Sequence, residues 1–248
     1  MSGVRSAPRT APRVRRSAPA LPAGVRLTPW REEDGRGHLV VGRPSPLPAR
    51  AVLECVERAR RDGYRGLVTT ALTPGEQLSF VTQGFTVADR LHLLTRPIDE
   101  GPTAPLTRPP DVALARARRR ERADVLALDH RAFTPGWRLG PRGLRDALRA
   151  TPMRQFRVVR VDGEVAGYAI TGFDGRHAYL QRLATRLDLH RRGIGTALVA
   201  DALHYGWKLG ATRAYVNTQV ENAAALELYR RCGFDPVDGG LAVLELRW

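Results

Sequence analysis

The amino-acid sequence predicts an α/β fold in which a mixed sheet carries helices on its faces. Three features of the C-terminal half support this fold class. Three apolar runs in residues 155–185 are separated by Asp-Gly pairs, a Gly-x-Gly loop in residues 189–199 leads into a helical pattern, and a strand, a helix and a strand follow. Asp-Gly between apolar runs is a strong hairpin signal, so the three runs form an antiparallel meander.

The expected order of elements is β-α-α-β-β-β-α-β-α-β. In chain order, we expect a strand at 112–118, helices at 120–133 and 144–150, the meander at 155–185, a helix at 193–209, a strand at 213–220, a helix at 222–233 and a strand at 241–248. The crossover between the strands at 177–185 and 213–220 should be parallel and right-handed.

Two helices carry clear local signals. Val199, Leu203 and Trp207 fall on one face of the helix that ends at Gly210. In the next helix, Asn222 is suited to the N-cap and Gly233 to the C-terminal stop.

Composition restricts the class of protein. The chain has 248 residues, of which 43% are hydrophobic, enough for one large domain or two small ones with a core. No apolar run approaches the ~20 residues of a membrane helix, so no membrane association is expected. Cys55 and Cys232, the only cysteines, lie far apart, which argues against a disulfide framework and a metal site and favours a reducing, cytoplasmic location.

The charge is strongly positive, with 40 Lys and Arg against 25 Asp and Glu and a formal net charge of +15. A field of this sign favours acidic ligands such as a phosphorylated cofactor, an acidic protein or nucleic acid. Because no nucleic-acid-binding motif is present, nucleic acid is not an expected partner. A nucleic-acid-associated protein that uses a basic tail stays open as a third hypothesis.

Breaker-rich segments divide the chain. Residues 1–24 contain arginine, proline and alanine but no acidic residue, and we interpret them as a disordered basic tail. Residues 98–111 form a proline-rich linker. The two remaining parts, 25–97 and 112–248, are the expected domains.

The loop before the helix at 193–209 is the main candidate site. It is not a dinucleotide fingerprint, because Leu198 stands where the third glycine is required. It is not a Walker A loop, because no Gly-Lys-Ser/Thr follows. What remains is a helix N-terminus whose free N–H groups suit an anion, with a simple tight turn as the alternative.

From Leu183 onward, the pattern "LAT…HRRGIGTALV…N…LYRRCGF" resembles the GNAT superfamily of N-acetyltransferases over essentially all of residues 112–248. The departure is His190, which stands at the first position of the family's Arg/Gln-x-x-Gly-x-Gly/Ala loop. The resemblance implies acetyl-CoA as cofactor. It implies that the pyrophosphate is held by the loop residues Arg191, Arg192, Gly193, Ile194, Gly195 and Thr196. It also implies that the pantetheine arm pairs with the backbone of Leu183, Ala184 and Thr185 as a further strand would, and that Asn222 touches the pantetheine region in addition to capping its helix.

The resemblance also implies that the strand at 177–185 and the next one splay apart and leave a slot for the thioester. A backbone N–H near Leu183 would polarise the thioester carbonyl. Tyr229 matches the family's general acid beside the CoA sulfur; core packing against Leu226 is its alternative role. If strand alternation holds, three amide side chains line the slot and orient the acceptor: Gln181, Asn217 and Gln219.

The general base is open. Asn217 stands where the ribosomal-protein N-terminal acetyltransferases, which this domain also resembles, carry a glutamate. An amide takes up no proton, so either water carries the proton or another group acts. The candidates by proximity in sequence are Asp174, His177 and Glu221. Asp174 is the weakest of them, because a role in the hairpin turn is enough to account for an aspartate at that position.

Residues 25–97 resemble the back half of a second copy of this fold. Residues 63–85 and 210–234 share the order glycine, strand, loop, short helix, Gly-Phe, and their phenylalanines are 234 − 85 = 149 positions apart. The segment 42–50 before its helix has no Gly-x-Gly, and Phe80 stands in the tyrosine region. We therefore expect a degenerate partial domain without a cofactor loop.

The leading hypothesis is an acetyl-CoA-dependent N-acetyltransferase that works by direct attack in a ternary complex. Its acceptor, a protein N-terminus, a lysine or a small amine, is not given by the sequence, and a homodimer stays open. The alternative is a catalytically weak CoA-binding protein with a regulatory or structural role.

Overall fold

A computed structural model describes residues 20–30, 35–42, 46–101 and 113–248. The expected basic tail therefore lies outside the described residues up to residue 19, and the expected linker lies outside them from residue 102. The chain divides into two compact units. One comprises residues up to 88 together with 243–248, and the other comprises residues 89–242.

The described residues contain ten strands and six α-helices. In chain order these are β1 (Val25–Pro29), β2 (Gly37–Val41), α1 (Ala49–Arg61), β3 (Gly66–Thr69), α2 (Pro74–Val81), β4 (Thr86–Pro97), β5 (Ala113–Arg116), α3 (Arg122–Ala132), α4 (Pro141–Ala147), β6 (Met153–Val161), β7 (Glu164–Phe173), β8 (His177–Thr185), α5 (Ile194–Lys208), β9 (Arg213–Gln219), α6 (Ala223–Arg231) and β10 (Asp235–Arg247).

The first unit is a small mixed sheet with two helices. β1 pairs antiparallel with β2, and β2 pairs parallel with β3. The last residues of β10, Glu245–Arg247, pair antiparallel with β3. Its core contains Val52, Leu67 and Phe80, all without solvent exposure.

The second unit carries the strands of the expected meander and crossover. Its strand order is β4-β9-β8-β7-β6-β5, in which only the β8–β9 pair is parallel. Helix α5 buries Val199 and Leu203 in one hydrophobic cluster, and α3 buries Val125 and Leu128 in another. The α/β class with a mixed sheet is confirmed.

Local signals in the sequence explain several element boundaries. Asp162 and Gly163 both have positive φ angles, 52° and 81°, as a two-residue type I′ hairpin requires. Oδ1 of Asn222 accepts a hydrogen bond from the Ala225 N–H at 3.1 Å, so this residue is the N-cap of α6. Gly233 has a φ of 76° directly after that helix, which fits a C-terminal stop.

Three details differ from expectation. The helix expected at 144–150 is α4, which spans Pro141–Ala147, because proline is favoured in the first turn of a helix. Trp207 is 40% exposed and does not share the burial of Val199. Residues 89–97 belong to the second unit, because Leu91–Pro97 pair with Arg213–Gln219.

The contact between α5 and β8 predicts the effect of one substitution. A Cβ at Gly206 would lie 2.6 Å from Cβ of Ala178 and 3.0 Å from Cδ1 of Ile98. Because the Ala178 Cβ is fixed to a central strand, we expect Gly206→Ala to lower the free energy of unfolding by about 1–3 kcal/mol. Urea denaturation measures this change. Lys208→Ala, in the exposed last turn of α5, is the control and should shift it by at most about 0.5 kcal/mol.

Candidate active site

The parallel pair β8–β9 opens at its carboxyl end. Backbone pairing runs from His177–Arg213 to Leu180–Val216 and then stops, although β8 continues to Thr185 and β9 to Gln219. The β7–β8 register also shifts by one residue between Ile170 and Thr171, which leaves Gln181 as the extra residue of a bulge. The end of β8 therefore presents backbone groups that β9 does not pair.

A cleft of about 520 Å³ lies at this opening within the second unit. It brings together almost all the site residues expected from the sequence. These are Gln181, Leu183, Ala184, Thr185, Arg191, Gly193, Ile194, Gly195, Thr196, Asn217, Gln219, Asn222 and Tyr229. Arg192 is exposed and is not part of the cleft wall.

The loop before α5 has an unusual backbone. Arg191 has a φ of 62° although it is not glycine, and Gly193, the N-cap of α5, has a φ of 76°. Within the described part of the chain, the N–H groups from Arg191 to Thr196 donate to no backbone carbonyl. Unpaired N–H groups at the positive end of a helix dipole form an anion-binding site.

The second glycine of the loop also has a packing role. A Cβ at Gly195 would lie 3.0 Å from Cδ2 of Leu228, so a larger residue here would require the Leu228 side chain to shift by a few tenths of an ångström. Gly193 is favoured by its left-handed conformation instead. The loop therefore serves the folding of the domain and the shape of the cleft together.

Tyr229 lies on the buried side of α6 and is 5% exposed. Its ring meets that of Phe234 edge to face at 6.0 Å. Burial raises the pKa of Tyr229 above its ordinary value, Cys232 adds to this, and the positive charge of Arg182 opposes it. The hydroxyl is therefore protonated at neutral pH, as a proton donor must be.

A buried ion pair stands behind the cleft wall. Asp129 of α3 has no solvent exposure. Arg182 of β8 donates from Nε to Oδ2 of Asp129 at 2.8 Å, and Nη2 of Arg182 lies 2.7 Å from the same oxygen as an ion pair. The Tyr168 hydroxyl donates to the same oxygen, and the Leu139 N–H donates to Oδ1 at 2.7 Å. The network fixes α3, β7, β8 and the segment before α4 relative to one another.

Two aromatic residues complete this wall. The Phe133 ring lies 3.4 Å from Cζ of Arg182, a cation–π contact. The Trp137 carbonyl accepts a hydrogen bond from Nη2 of Arg182 at 2.6 Å, and the Trp137 indole N–H donates to Asp89 at 2.8 Å. Both residues line the cleft.

The sequence analysis missed this network, although one signal pointed to it. Asp129 stands four residues after Val125 and one after Leu128, so helical spacing places it on the apolar face of α3. A charged residue on such a face requires a buried partner. No local pattern indicates that the partner is Arg182, 53 positions later in the chain.

Gln181 has the clearest unsatisfied polar atom in the cleft wall. Its Nε2 donates to Oγ1 of Thr151 at 3.3 Å, whereas its buried Oε1 has no hydrogen-bond partner in the described part of the chain. Both side chains occupy the space above Gly172, where a Cβ would overlap them. Gly172 thus makes room for the Gln181 amide.

The candidate bases do not lie in the cleft wall. Asp174 and His177 are at the amino end of β8, and Asp174 accepts the N–H groups of Arg176 and His177 in the hairpin turn. Glu221 does not line the cleft either. Among the described residues, Glu227 is the single acidic residue in this wall, and it lies 3.6 Å from Arg231.

Two further features are absent from the described ranges. No cluster of three or more His, Cys, Asp or Glu side chains is arranged to hold a metal ion there. In the same ranges, no helix is long and apolar enough to cross a membrane.

Fold and cleft together define an α/β domain with a loop of N–H groups that donate to no described backbone carbonyl, between a strand and a helix, beside a cleft where β9 leaves the end of β8 unpaired. Residues 122–234 match the model of the acetyltransferase (GNAT) family, so this part of the chain is similar to GNAT acetyltransferases. The family is one of transferases that move an acyl group to an amine.

Curated relatives support the family over short segments. The chain is 36% identical over 64 residues to GCN5-related N-acetyltransferase 7, chloroplastic, of Arabidopsis thaliana, covering 26% of this chain and 23% of that protein. It is 33% identical over 95 residues to an N-alpha-acetyltransferase of Sulfurisphaera tokodaii, covering 33% of this chain and 57% of that protein. The matched segments thus span less than two thirds of these relatives.

Solved structures share the fold over most of the chain. A GCN5-related N-acetyltransferase from Kribbella flavida superposes with a TM-score of 0.58 at 22% identity, covering 87% of this chain and 83% of that one. A tandem GNAT protein from the clavulanic acid biosynthesis pathway gives 0.64 at 15% identity, covering 90% and 78%. The expected GNAT fold is confirmed.

The buried ion pair predicts a large cost for removing its acidic partner. Asp129→Ala leaves the Arg182 guanidinium without its carboxylate and the Leu139 N–H without its acceptor. We expect a loss of about 3–5 kcal/mol in the free energy of unfolding, measured by urea denaturation. Asp124→Ala, at an exposed position of α3, is the control and should cost less than about 1 kcal/mol. A loss of that small size at Asp129 would contradict the network.

Proposed function

We propose that the protein is an acetyl-CoA-dependent N-acetyltransferase that acetylates a primary amine by direct attack in a ternary complex. The observation that supports this most strongly is the continuity of the cleft. One cavity wall joins the loop of unpaired N–H groups, the unpaired end of β8 and the Tyr229 side chain. A phosphorylated, extended ligand with a reactive end fits that order of features.

In this proposal the chain holds acetyl-CoA at three places. The N–H groups of residues 191–196 bind the pyrophosphate, with Arg191 adding positive charge. The backbone of Leu183–Thr185 pairs with the pantetheine arm, because β9 leaves that end of β8 unpaired. Asn222 caps α6 and also lines the cleft, so it contacts the same arm.

When bound, acetyl-CoA supplies the acetyl group, and the amine nitrogen displaces the CoA sulfur from it. Tyr229 protonates the leaving sulfur, since its hydroxyl, whose pKa is raised by burial, is in the protonated form at neutral pH. Asn217 takes up no proton, so water carries the amine proton out of the cleft. Gln181 and Gln219 orient the acceptor by hydrogen bonds.

A second candidate function is a catalytically weak CoA-binding protein with a regulatory or structural role. One observation favours it, the amide of Asn217 where related enzymes carry a glutamate. A protein of this kind would bind CoA at the same site but would not catalyse acetyl transfer.

The cofactor site is tested by Thr196→Glu. Thr196 is the third residue after the N-cap of α5, where glutamate stabilises a helix by bonding back to the N-cap. The new carboxylate occupies the N–H groups and repels phosphate without harming the helix. Calorimetry should therefore show micromolar acetyl-CoA binding by the parent and a loss of at least tenfold in Thr196→Glu.

Thr196→Gln is the matched control, because it has the same shape and no charge. It should bind acetyl-CoA much more tightly than Thr196→Glu. If the folded parent binds no acetyl-CoA, both the acetyltransferase and the weak CoA-binding proposals fail.

Tyr229→Phe tests the proton donor. We expect kcat to fall by about 10²–10⁴-fold, because a general acid contributes about this much, while the acetyl-CoA Kd stays within about threefold. A general acid is active below its pKa and is lost as pH rises through it. Since the pKa of Tyr229 is raised above 10, the parent should show no Tyr229-linked loss of kcat up to about pH 10. Unchanged kcat in Tyr229→Phe would leave packing as the role of this residue.

A further inference from the structure

The charges in the cleft wall favour an anion on the acceptor as well as on the cofactor. Three arginines line the cleft, Arg182, Arg191 and Arg231. Glu227 is the one acidic residue of this wall in the part of the chain that the structure describes, and it lies 3.6 Å from Arg231. Arg191 belongs to the loop, and Arg231 is paired with Glu227. Arg182 contacts Phe133 and Trp137, and we term the part of the cleft wall that these three residues form the acceptor side.

Part of the Arg182 guanidinium has no hydrogen-bond partner among the described residues. Its Nε and Nη2 are committed to Oδ2 of Asp129 and to the Trp137 carbonyl. The structure records no hydrogen bond from Nη1 to any described residue, and Nη1 is not among the buried side-chain atoms that lack a partner. Two N–H groups of a fixed guanidinium therefore remain for a ligand in the cleft.

The guanidinium is held rigidly before any ligand arrives. Asp129, without solvent exposure, fixes one edge of it, and the Phe133 ring packs against its face at 3.4 Å. A planar donor held in this way loses little freedom on binding, so its hydrogen bonds contribute most of their strength to affinity.

Among the described residues that line the cleft, the uncharged polar side chains include the amides of Asn217 and Gln219 and the hydroxyls of Thr218 and Tyr229. The apolar surface beside Arg182 comes from Phe133 and Trp137. Glu227 is the one carboxylate among these described residues and is paired with Arg231, so a lysine side chain or a polyamine would meet Arg182 without an unpaired carboxylate in this wall.

We propose that Arg182 binds a carboxylate on the acceptor, so that the acceptor is a small amine that carries a carboxylate and an apolar group, as an amino acid does. This inference rests on the proposed function and selects among its acceptors. A protein N-terminus presents a neutral amide at the corresponding position and would leave the Nη1 donors without a charged partner.

The test compares two products that differ only at the proposed anchor, N-acetyl-L-leucine and N-acetyl-L-leucinamide. Calorimetry measures their binding to the full chain, with and without saturating CoA, and the N-acetylglycine pair repeats the comparison without the apolar group. We expect the acid to bind at least about tenfold more tightly than the amide, since a hydrogen bond to a charged group is stronger than a neutral one.

The variant is the double substitution Arg182→Gln with Asp129→Asn. Removing both charges leaves no unpaired buried carboxylate, so the fold is retained where Arg182→Gln alone would strain it. In this variant the Kd values of the acid and the amide should differ by no more than about twofold. Arg157→Gln, which removes an arginine paired with Asp201 and outside the cleft wall, is the control and should keep the preference.

Equal binding of acid and amide, or tighter binding of the amide, overturns the proposal and favours a peptide acceptor. A preference that survives in the double variant overturns it too, because another cation is then responsible. Absence of acid binding by the folded parent also overturns it. Failure of the proposed function gives a different result, because the protein then does not bind acetyl-CoA. The binding of acid and amide measured without CoA still tests the role of Arg182 in that case.

Discussion

A carboxylate without access to water requires hydrogen-bond donors at fixed positions. The donors to Asp129 belong to elements that form or adjoin the cleft, so the position of these elements depends on this carboxylate. Its donors come from three other places in the chain: the Tyr168 hydroxyl on β7, the Arg182 guanidinium on β8 and the Leu139 N–H before α4. If β8 moved away, an uncompensated charge would remain, at a cost of several kcal/mol, and if β7 or the segment before α4 moved away the carboxylate would lose a hydrogen bond. The wall beside the proposed acceptor position is therefore set by electrostatics as much as by packing.

Local signals explain which features the sequence predicted. The Asp162-Gly163 hairpin and the Asn222 cap depend on neighbouring residues alone, so short-range rules were sufficient. The loop and Tyr229 came from a motif, and the structure brings them to one cleft, although their roles stay predictions. The burial of Asp129 was not predicted, because its partner Arg182 is distant in sequence and adjacent only after the sheet has formed.

The first unit repeats features of the second at a constant offset. The Phe85 N–H donates to the Phe80 carbonyl at 3.2 Å, as the Phe234 N–H donates to that of Tyr229 at 3.0 Å, and each helix is followed by a glycine with positive φ. Both units contain a parallel strand pair joined by a helix. These parallels support the interpretation of residues 25–97 as a degenerate partial copy, which stays a prediction.

Strand β10 has a consequence for synthesis on the ribosome. The first unit includes residues 243–248, where Glu245–Arg247 pair with β3 and the Trp248 indole donates to the Tyr64 carbonyl at 2.9 Å. These residues are made 243 − 88 = 155 positions after the rest of that unit. At usual elongation rates the delay is on the order of ten seconds. During it the nascent chain presents an open sheet edge at β3, so chaperone binding to that edge would protect the emerging protein from aggregation.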